Sequence, residues 1–219
     1  MDLISADAAG IKQAAAAILA GGVIAFPTDT VYGLAALASD SAAIQRIYEI
    51  KGRDQSRALI LMVWSVEQLE GWARIEPRAR SAMHLWWPGP LTLVVPAGPL
   101  ARPPLSSDQS RSIGVRIPNH PLALKLLAAV AVPLATTSAN RSGQEPALTA
   151  AASAQIQGLD AVLAGAAAPG GVPSAVVDLT RSRARLIRSG SIPRGDLEAY
   201  FEFGPEARPP SPGTSEARG

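Results

Sequence analysis

Apolar positions along the chain follow two periods, and the switches between them mark out the elements. Residues 8–20 (AAGIKQAAAAILA) combine high helix propensity with apolar Ile11, Ile18 and Leu19, and Gly21-Gly22 stop the run, so a helix is predicted there. Val23 to Phe26 is a short apolar run closed by Pro27, as expected of a buried strand. Ser39-Asp40-Ser41 offer caps for a helix over 41–51, whose Ile44, Ile47, Tyr48 and Lys51 recur at i, i+3, i+4 and i+7. The same reading predicts strands at 59–63, 91–95, 112–117, 133–137, 161–163, 175–179 and 184–187. Further helices are predicted at 66–86, 121–131, 149–156 and 194–203. Strands alternating with helices imply an α/β domain with a mixed sheet, and the crowding of strands late in the chain calls for some antiparallel pairing. Residues 1–203 read as one domain. Residues 204–219 (GPEARPPSPGTSEARG) have no apolar period and read as a flexible tail.

Composition narrows the chemistry. Apolar residues make up 47% and charged residues 17%, enough for a sizeable core. The net charge is only +2, and Lys12, Lys51 and Lys125 are the only lysines among 20 cationic residues, so the basic side is almost all arginine. Such totals suit a locally basic cleft for small anions and do not by themselves argue for a nucleic-acid binder. The absence of cysteine excludes disulfides, thiolate nucleophiles and cysteine zinc sites. Two histidines in unrelated contexts, His84 and His120, argue against a Ser-His-Asp triad or a multi-histidine metal site. No apolar run reaches the roughly 18 residues of a spanning helix. The acidic start, with Asp2 and Asp7, is unlike a signal peptide, so a cytoplasmic location is expected.

Three polar clusters carry candidate chemistry, and each has a plain structural reading beside the functional one. Lys51-Gly52-Arg53, with Arg57 four residues on, can cradle a polyphosphate; it can equally be a solvated helix end where the dipole favours cations. Pro27-Thr28-Asp29-Thr30 follows a strand, where ligands of α/β sheets sit, yet Thr and Asp are ordinary turn formers. The hydroxyl-dense run Thr136 to Gly143 reads either as an anion pocket or as a common Ser/Asn/Gly loop. Strand alternation puts Arg116 on the face opposite Ile113, Val115 and Ile117, facing solvent or a cleft. Arg188 reads as a surface charge at a strand end. His84 reads as a packing residue, His120 as a turn residue, and the four tryptophans as packing groups rather than a base-stacking platform.

The order of these clusters says more than any one of them. Pro27-Thr28-Asp29-Thr30-Val31-Tyr32-Gly33-Leu34 comes first, then Lys51-x-Arg53 and Pro88-Gly89-Pro90-Leu91-Thr92. Gly114-Val115-Arg116-Ile117-Pro118 and Ser138-Ala139-Asn140-x-Ser142-Gly143 follow. This succession resembles the TsaC/YrdC family of threonylcarbamoyl-AMP synthases, from roughly residue 10 to roughly residue 195. The resemblance implies an α/β fold: a twisted open mixed sheet with flanking helices around a large concave, cationic cavity. It implies the conversion of L-threonine, bicarbonate and ATP, with Mg²⁺, into threonylcarbamoyl-AMP and pyrophosphate. A downstream transferase complex then modifies a tRNA adenosine, and a weak direct tRNA contact is compatible with the family. Matched to the family's motifs, Thr30, Arg116, Thr136 and Ser174 fall at threonine-holding positions. Arg53, Arg57, Ser112, Ser138, Asn140 and Arg188 fall at ATP-holding positions, and Lys51 and Arg53 are the candidate catalytic charges.

The chain departs from the family pattern at several places. Asp54 stands where the family often has Pro, Arg57 where Lys or Asn is common, Met62 where longer members have His, and Ala175 where Thr is common. The short tail leads us to expect a form without the extra C-terminal domain of longer members. The competing expectation is a non-catalytic RNA-binding module of the same fold.

Overall fold

The computed structural model describes residues 1–55, 58–103, 105–106, 111–169 and 171–204. Six helices and ten strands are found among them. The strands are β1 (Asp2–Ile4), β2 (Ile24–Phe26), β3 (Gly33–Leu37), β4 (Ile60–Met62), β5 (Leu91–Pro96), β6 (Ser112–Arg116), β7 (Leu134–Ser138), β8 (Ala161–Leu163), β9 (Ala175–Asp178) and β10 (Arg185–Arg188). The helices are α1 (Ala8–Leu19), α2 (Ser41–Lys51), α3 (Pro77–Trp86), α4 (Pro121–Val130), α5 (Ala150–Ser153) and α6 (Arg194–Tyr200). All strands join one mixed sheet in the order β1-β8-β2-β3-β7-β4-β6-β5-β9-β10.

Side-chain alternation along the strands splits the apolar residues between the two faces. Ile24, Phe26, Ala35, Met62 and Leu134 pack with α1 and α4 through Ile11, Ile18, Leu122, Leu126 and Leu127. Ala25, Leu34, Ala36, Leu61, Val63 and Ala135 belong to the larger core on the other face, with Ile44 and Ile47 of α2 and Met83 of α3. Fully burying such a side chain contributes about 1.5–3 kcal/mol, so each helix is held by its apolar stripe more than by propensity.

Helix ends follow the capping chemistry. The Asp40 side chain accepts from the amides of Ala42 and Ala43 to start α2, and Gly52, in the left-handed region at φ 59°, ends it. The predicted 66–86 helix is broken instead. It consists of a 3-10 turn (Val66–Leu69), an extended stretch in which Ala73 bridges Ala97, and α3. Gly71 in the left-handed region and Pro77 at the start of α3 interrupt any continuous helix. The predicted 149–156 helix shrinks to α5, and the 194–203 helix ends at Tyr200. Two strands carry no sequence signal of their own. β1 exists by pairing with β8, and the Ala-rich β3 by antiparallel pairing with both β2 and β7. His84, read as a packing residue, is exposed on α3. His120 caps α4, its Nδ1 accepting from the Ala123 amide at 3.4 Å. Trp72, Trp86 and Trp87 pack against the core, whereas Trp64 is 48% exposed.

Candidate active site

Where α1 and α4 leave the sheet uncovered, a cavity of about 270 Å³ opens over β4, β6 and β7. It lies just below the ~300–1,000 Å³ typical of small-molecule clefts. Ile60 and Met62 of β4, Thr136 and Ser138 of β7 and Arg116 of β6 form its floor, and the turn after β2 and the loop after β7 form its walls. Lys51, Arg53, Arg116 and Arg188 all line it, and no acidic side chain does among the described residues.

The cationic side is built where α2 ends. Lys51 is 3% exposed, and its ammonium donates to Ser138 O at 2.6 Å, Asn140 O at 3.0 Å and Asn140 Oδ1 at 2.8 Å. An ammonium has three N–H groups, so these acceptors engage all of them and pin the Ser138–Asn140 turn to the helix end. The Ser142 amide returns a bond to Lys51 O at 2.8 Å. Within the turn, Ser138 Oγ donates to Asn140 Oδ1 at 2.6 Å and Asn140 Nδ2 donates to Gln144 O at 2.6 Å. Burial, followed by the neighbouring Arg53 charge, pushes Lys51 down to about 7. Arg53 lies over the Tyr48 ring at 5.2 Å, a cation–π contact that holds its guanidinium at the cavity wall.

The opposite side is organised around Arg116, also 3% exposed. Its Nε donates to Gly89 O at 3.0 Å, Nη1 to Thr30 Oγ1 at 3.1 Å, and Nη2 to Asp29 Oδ1 at 2.6 Å. Gly89 can bring its carbonyl here because a side chain at that position would meet Trp86 O at 2.1 Å. Of the five guanidinium N–H groups three are engaged, which leaves one on each Nη, the fork that suits a carboxylate. Burial lowers the Arg116 pKa, and Asp29 opposes the shift. Asp29 Oδ2 is buried without a hydrogen-bond partner among the described residues. Around this fork stand hydroxyls held by neighbours: Thr30 by Thr28 Oγ1 at 3.1 Å, Thr136 by Ile60 O at 3.0 Å, and Ser174 by Thr92 Oγ1 at 2.9 Å. Arg188, at the rim, donates to Ser174 O from Nε and Nη2 at 3.1 and 2.9 Å. Burial first, and then the Arg116 charge, lowers its pKa. The cavity therefore holds cations that repel one another, a strain that a bound anion relieves.

Most of the residues singled out in the sequence meet here. Lys51, Arg53, Ser138, Asn140, Arg188, Thr30, Arg116, Thr136 and Ser174 line one cavity. Arg188, read as a surface charge, is held against Ser174 at the rim. Ser112 does not line the cavity. It starts β6, four residues and about 13 Å of strand before Arg116, paired with Pro96. Arg57 lies outside the described residues. Thr28, Thr137, Ser142, Gly143 and Pro173 line the cavity without having been assigned a role. Thr28, Thr137, Ser142 and Gly143 lay within the polar turns already singled out, and Pro173 directly precedes Ser174. The Asp29–Arg116 ion pair spans 87 positions and left no local trace.

A model of the Sua5/YciO/YrdC domain, described as "Telomere recombination", matches residues 16–190. The chain belongs to the Sua5/YciO/YrdC family. A relative named threonylcarbamoyl-AMP synthase, from Bacillus subtilis (strain 168), is 38% identical over 205 residues, 91% of this chain and 59% of the relative. The crystal structure of Pyrococcus abyssi Sua5 complexed with L-threonine superposes with a TM-score of 0.88 at 35% identity, covering 94% of this chain and 63% of that one. Escherichia coli YciO gives a TM-score of 0.78 at 26% identity, covering 87% of this chain and 95% of that one. The chain thus shares the family's mixed open sheet. It spans less than two thirds of the length of the B. subtilis and P. abyssi relatives. No helix among the described residues is long and apolar enough to cross a membrane.

Proposed function

We propose that this Sua5/YciO/YrdC-family chain forms threonylcarbamoyl-AMP and pyrophosphate from L-threonine, bicarbonate and ATP in the cytoplasm. The intermediate then serves a transferase complex that modifies a tRNA adenosine. The observation that carries the reading is the convergence, in one cavity, of the Lys51–Arg53 pair and the Ser138–Asn140 turn with the Arg116 fork and its ring of hydroxyls. The free N–H groups on Nη1 and Nη2 of Arg116 suit the threonine carboxylate, with Thr30, Thr136 and Ser174 offering hydrogen bonds to the remaining polar atoms. Arg53, Arg188, Ser138 and Asn140 suit the nucleotide's phosphates. Lys51 adds charge and holds the turn in place.

In this reading the neutral amine of threonine adds to the carbon of bicarbonate, giving the carbamate and a water. A carbamate oxygen then attacks the α-phosphorus, the bond to the β-phosphate oxygen breaks, and pyrophosphate leaves. The step needs alignment and charge neutralisation more than a protein nucleophile, which suits a chain without cysteine and with no histidine among the described residues lining the cavity. No carboxylate lines the cavity among the described residues, so Mg²⁺ would be held by phosphate oxygens and waters and would supply neutralisation of the phosphate charge.

The test is pyrophosphate release by the purified chain with ATP, Mg²⁺ and bicarbonate, with and without L-threonine. We expect release that depends on threonine. A folded protein that releases none above the threonine-free control would instead support the RNA-binding module.

A further inference from the structure

Of the motifs singled out in the sequence, Pro88-Gly89-Pro90-Leu91-Thr92 supplies no group that lines the cavity. It nevertheless reaches two residues that do. The Gly89 carbonyl accepts from Arg116 Nε at 3.0 Å, the Pro90 carbonyl accepts from the Ala175 amide at 3.0 Å, and Thr92 Oγ1 lies 2.9 Å from Ser174 Oγ. Thr92 is 1% exposed, so its hydroxyl works on a neighbour and not on a ligand. We propose that Thr92 is a positioning residue: its hydroxyl donates to Ser174 Oγ and thereby fixes Ser174 as a hydrogen-bond donor to bound threonine. The assignment rests on the reading of Arg116 and Ser174 as holders of threonine given above.

The sheet places the two partners of Ser174 on either side of it. β9 lies between β5 and β10, Thr92 pairs with Val176, and Arg188 pairs with Val176 from the other edge. Ser174, just before β9, is thus flanked by Thr92 and by Arg188. Gly190 lets the chain beyond β10 close on this point, since a side chain there would collide with the Ser174–Ala175 peptide. Arg188 Nη2 donates to Ser174 Oγ at 3.2 Å, and a guanidinium cannot accept, so one lone pair of that hydroxyl is taken. The sense of the bond to Thr92 follows from burial. Thr92 Oγ1 has no other side-chain hydrogen-bond partner among the described residues, so a Thr92 hydroxyl that only accepted would leave its own O–H unpaired in the core. Ser174 lines the cavity, where a substrate oxygen can take its proton. Thr92 therefore donates and fills the second lone pair. A hydroxyl has one proton and two lone pairs, so the proton is all that Ser174 has left to offer, and a carboxylate oxygen is what it suits.

The test is calorimetric binding of L-threonine, with and without a non-hydrolysable ATP analogue, and threonine-dependent pyrophosphate release measured in parallel. Thr92→Val keeps the outline of the side chain and removes its hydroxyl, and we expect threonine binding to weaken about five- to tenfold. The Ser174 contact is made before and during the reaction alike, so KM for threonine should rise by the same factor with kcat within about twofold of the parent. KM for ATP should also stay within about twofold, because Arg188 keeps its bonds to the Ser174 carbonyl. Thr92→Ser retains the donor and should restore binding to within about twofold of the parent. Ser174→Ala removes the group through which Thr92 acts, so T92V/S174A should bind threonine no more than about twofold worse than S174A alone. Should Thr92→Val fail to fold, Thr92→Ala carries the same expectations. The proposal is overturned if the hydroxyl-free variant binds threonine as the parent does, or if Thr92→Ser is as impaired as that variant. Additive losses in the double variant, equal losses for threonine and ATP, or a parent that binds no threonine would overturn it as well. Threonine binding that weakens as expected in a chain releasing no pyrophosphate would sink the catalytic reading and leave this one standing.

Discussion

Arg116 ends β6 and Arg111 directly precedes it, and the two live under opposite rules. Arg116 is 3% exposed, and a protein acceptor meets each of its three nitrogens, Gly89 O, Thr30 Oγ1 and Asp29 Oδ1. Arg111 is exposed and its guanidinium has no partner among the described residues. The difference follows from solvation. A charge removed from water must be paired and hydrogen-bonded, so the protein itself dictates which N–H groups remain for a ligand. Those two leftover groups set the direction from which an anion can be held. At the exposed position water solvates the guanidinium at no penalty, and no partner among the described residues fixes its rotamer.

The sharpest way to break this contrast is to remove the buried member. Arg116→Ala leaves Asp29 as an uncompensated buried carboxylate, so we expect about 3–5 kcal/mol of lost stability in denaturant unfolding. In protein that remains folded, threonine-dependent turnover should fall at least about a hundredfold. A variant as stable and active as the parent would show that the fork is not the carboxylate site.

A smaller effect tests the positioning of the fork. Asp29→Asn keeps the shape and exchanges the ion pair for a hydrogen bond from the charged guanidinium to a neutral amide oxygen, a loss of about 1–2 kcal/mol. We expect kcat/KM for threonine to fall about tenfold while KM for ATP stays put. Equal changes for both substrates would mean that Asp29 supports the cavity as a whole.

The smallest effect concerns the proton on Lys51. Below about pH 7 the ammonium is charged in the free chain, and above it burial and Arg53 favour the neutral amine. A bound polyphosphate favours the ammonium, so ATP affinity should be flat below pH 7 and weaken above it, by about fivefold from pH 7 to 8, with proton uptake on binding. Calorimetry in buffers of different ionisation enthalpy measures that uptake directly, and Lys51→Met should abolish it. In the free chain the unfolded state keeps this proton up to the ordinary value of 10.5, so the contribution of Lys51 to stability rises with pH between about 7 and 10.5.

Local signals were sufficient for α1, α2 and α4, whose caps and apolar spacing point the same way. They failed for β3, because an Ala-rich run has no alternation and becomes a strand only between β2 and β7. They also failed for the stretch after β4, where Gly71 and Pro77 break a pattern that otherwise reads as helical. The Lys51-x-Arg53 and Ser138-Ala139-Asn140 motifs were legible one at a time. That the lysine is directed into the turn itself, leaving arginines to face the open cavity, is not written in either motif.

What the sequence by itself determined is the set of parts: the capped helices, most of the strands, the order of the motifs and the absence of thiol or multi-histidine chemistry. Each follows from propensity, spacing or composition over a few residues. Only the tertiary structure decided which cations are buried and which donors are already taken. Those outcomes depend on partners such as Asp29 and Arg116, 87 positions apart in the chain, and desolvation acts on neighbours in space, whatever their separation in sequence.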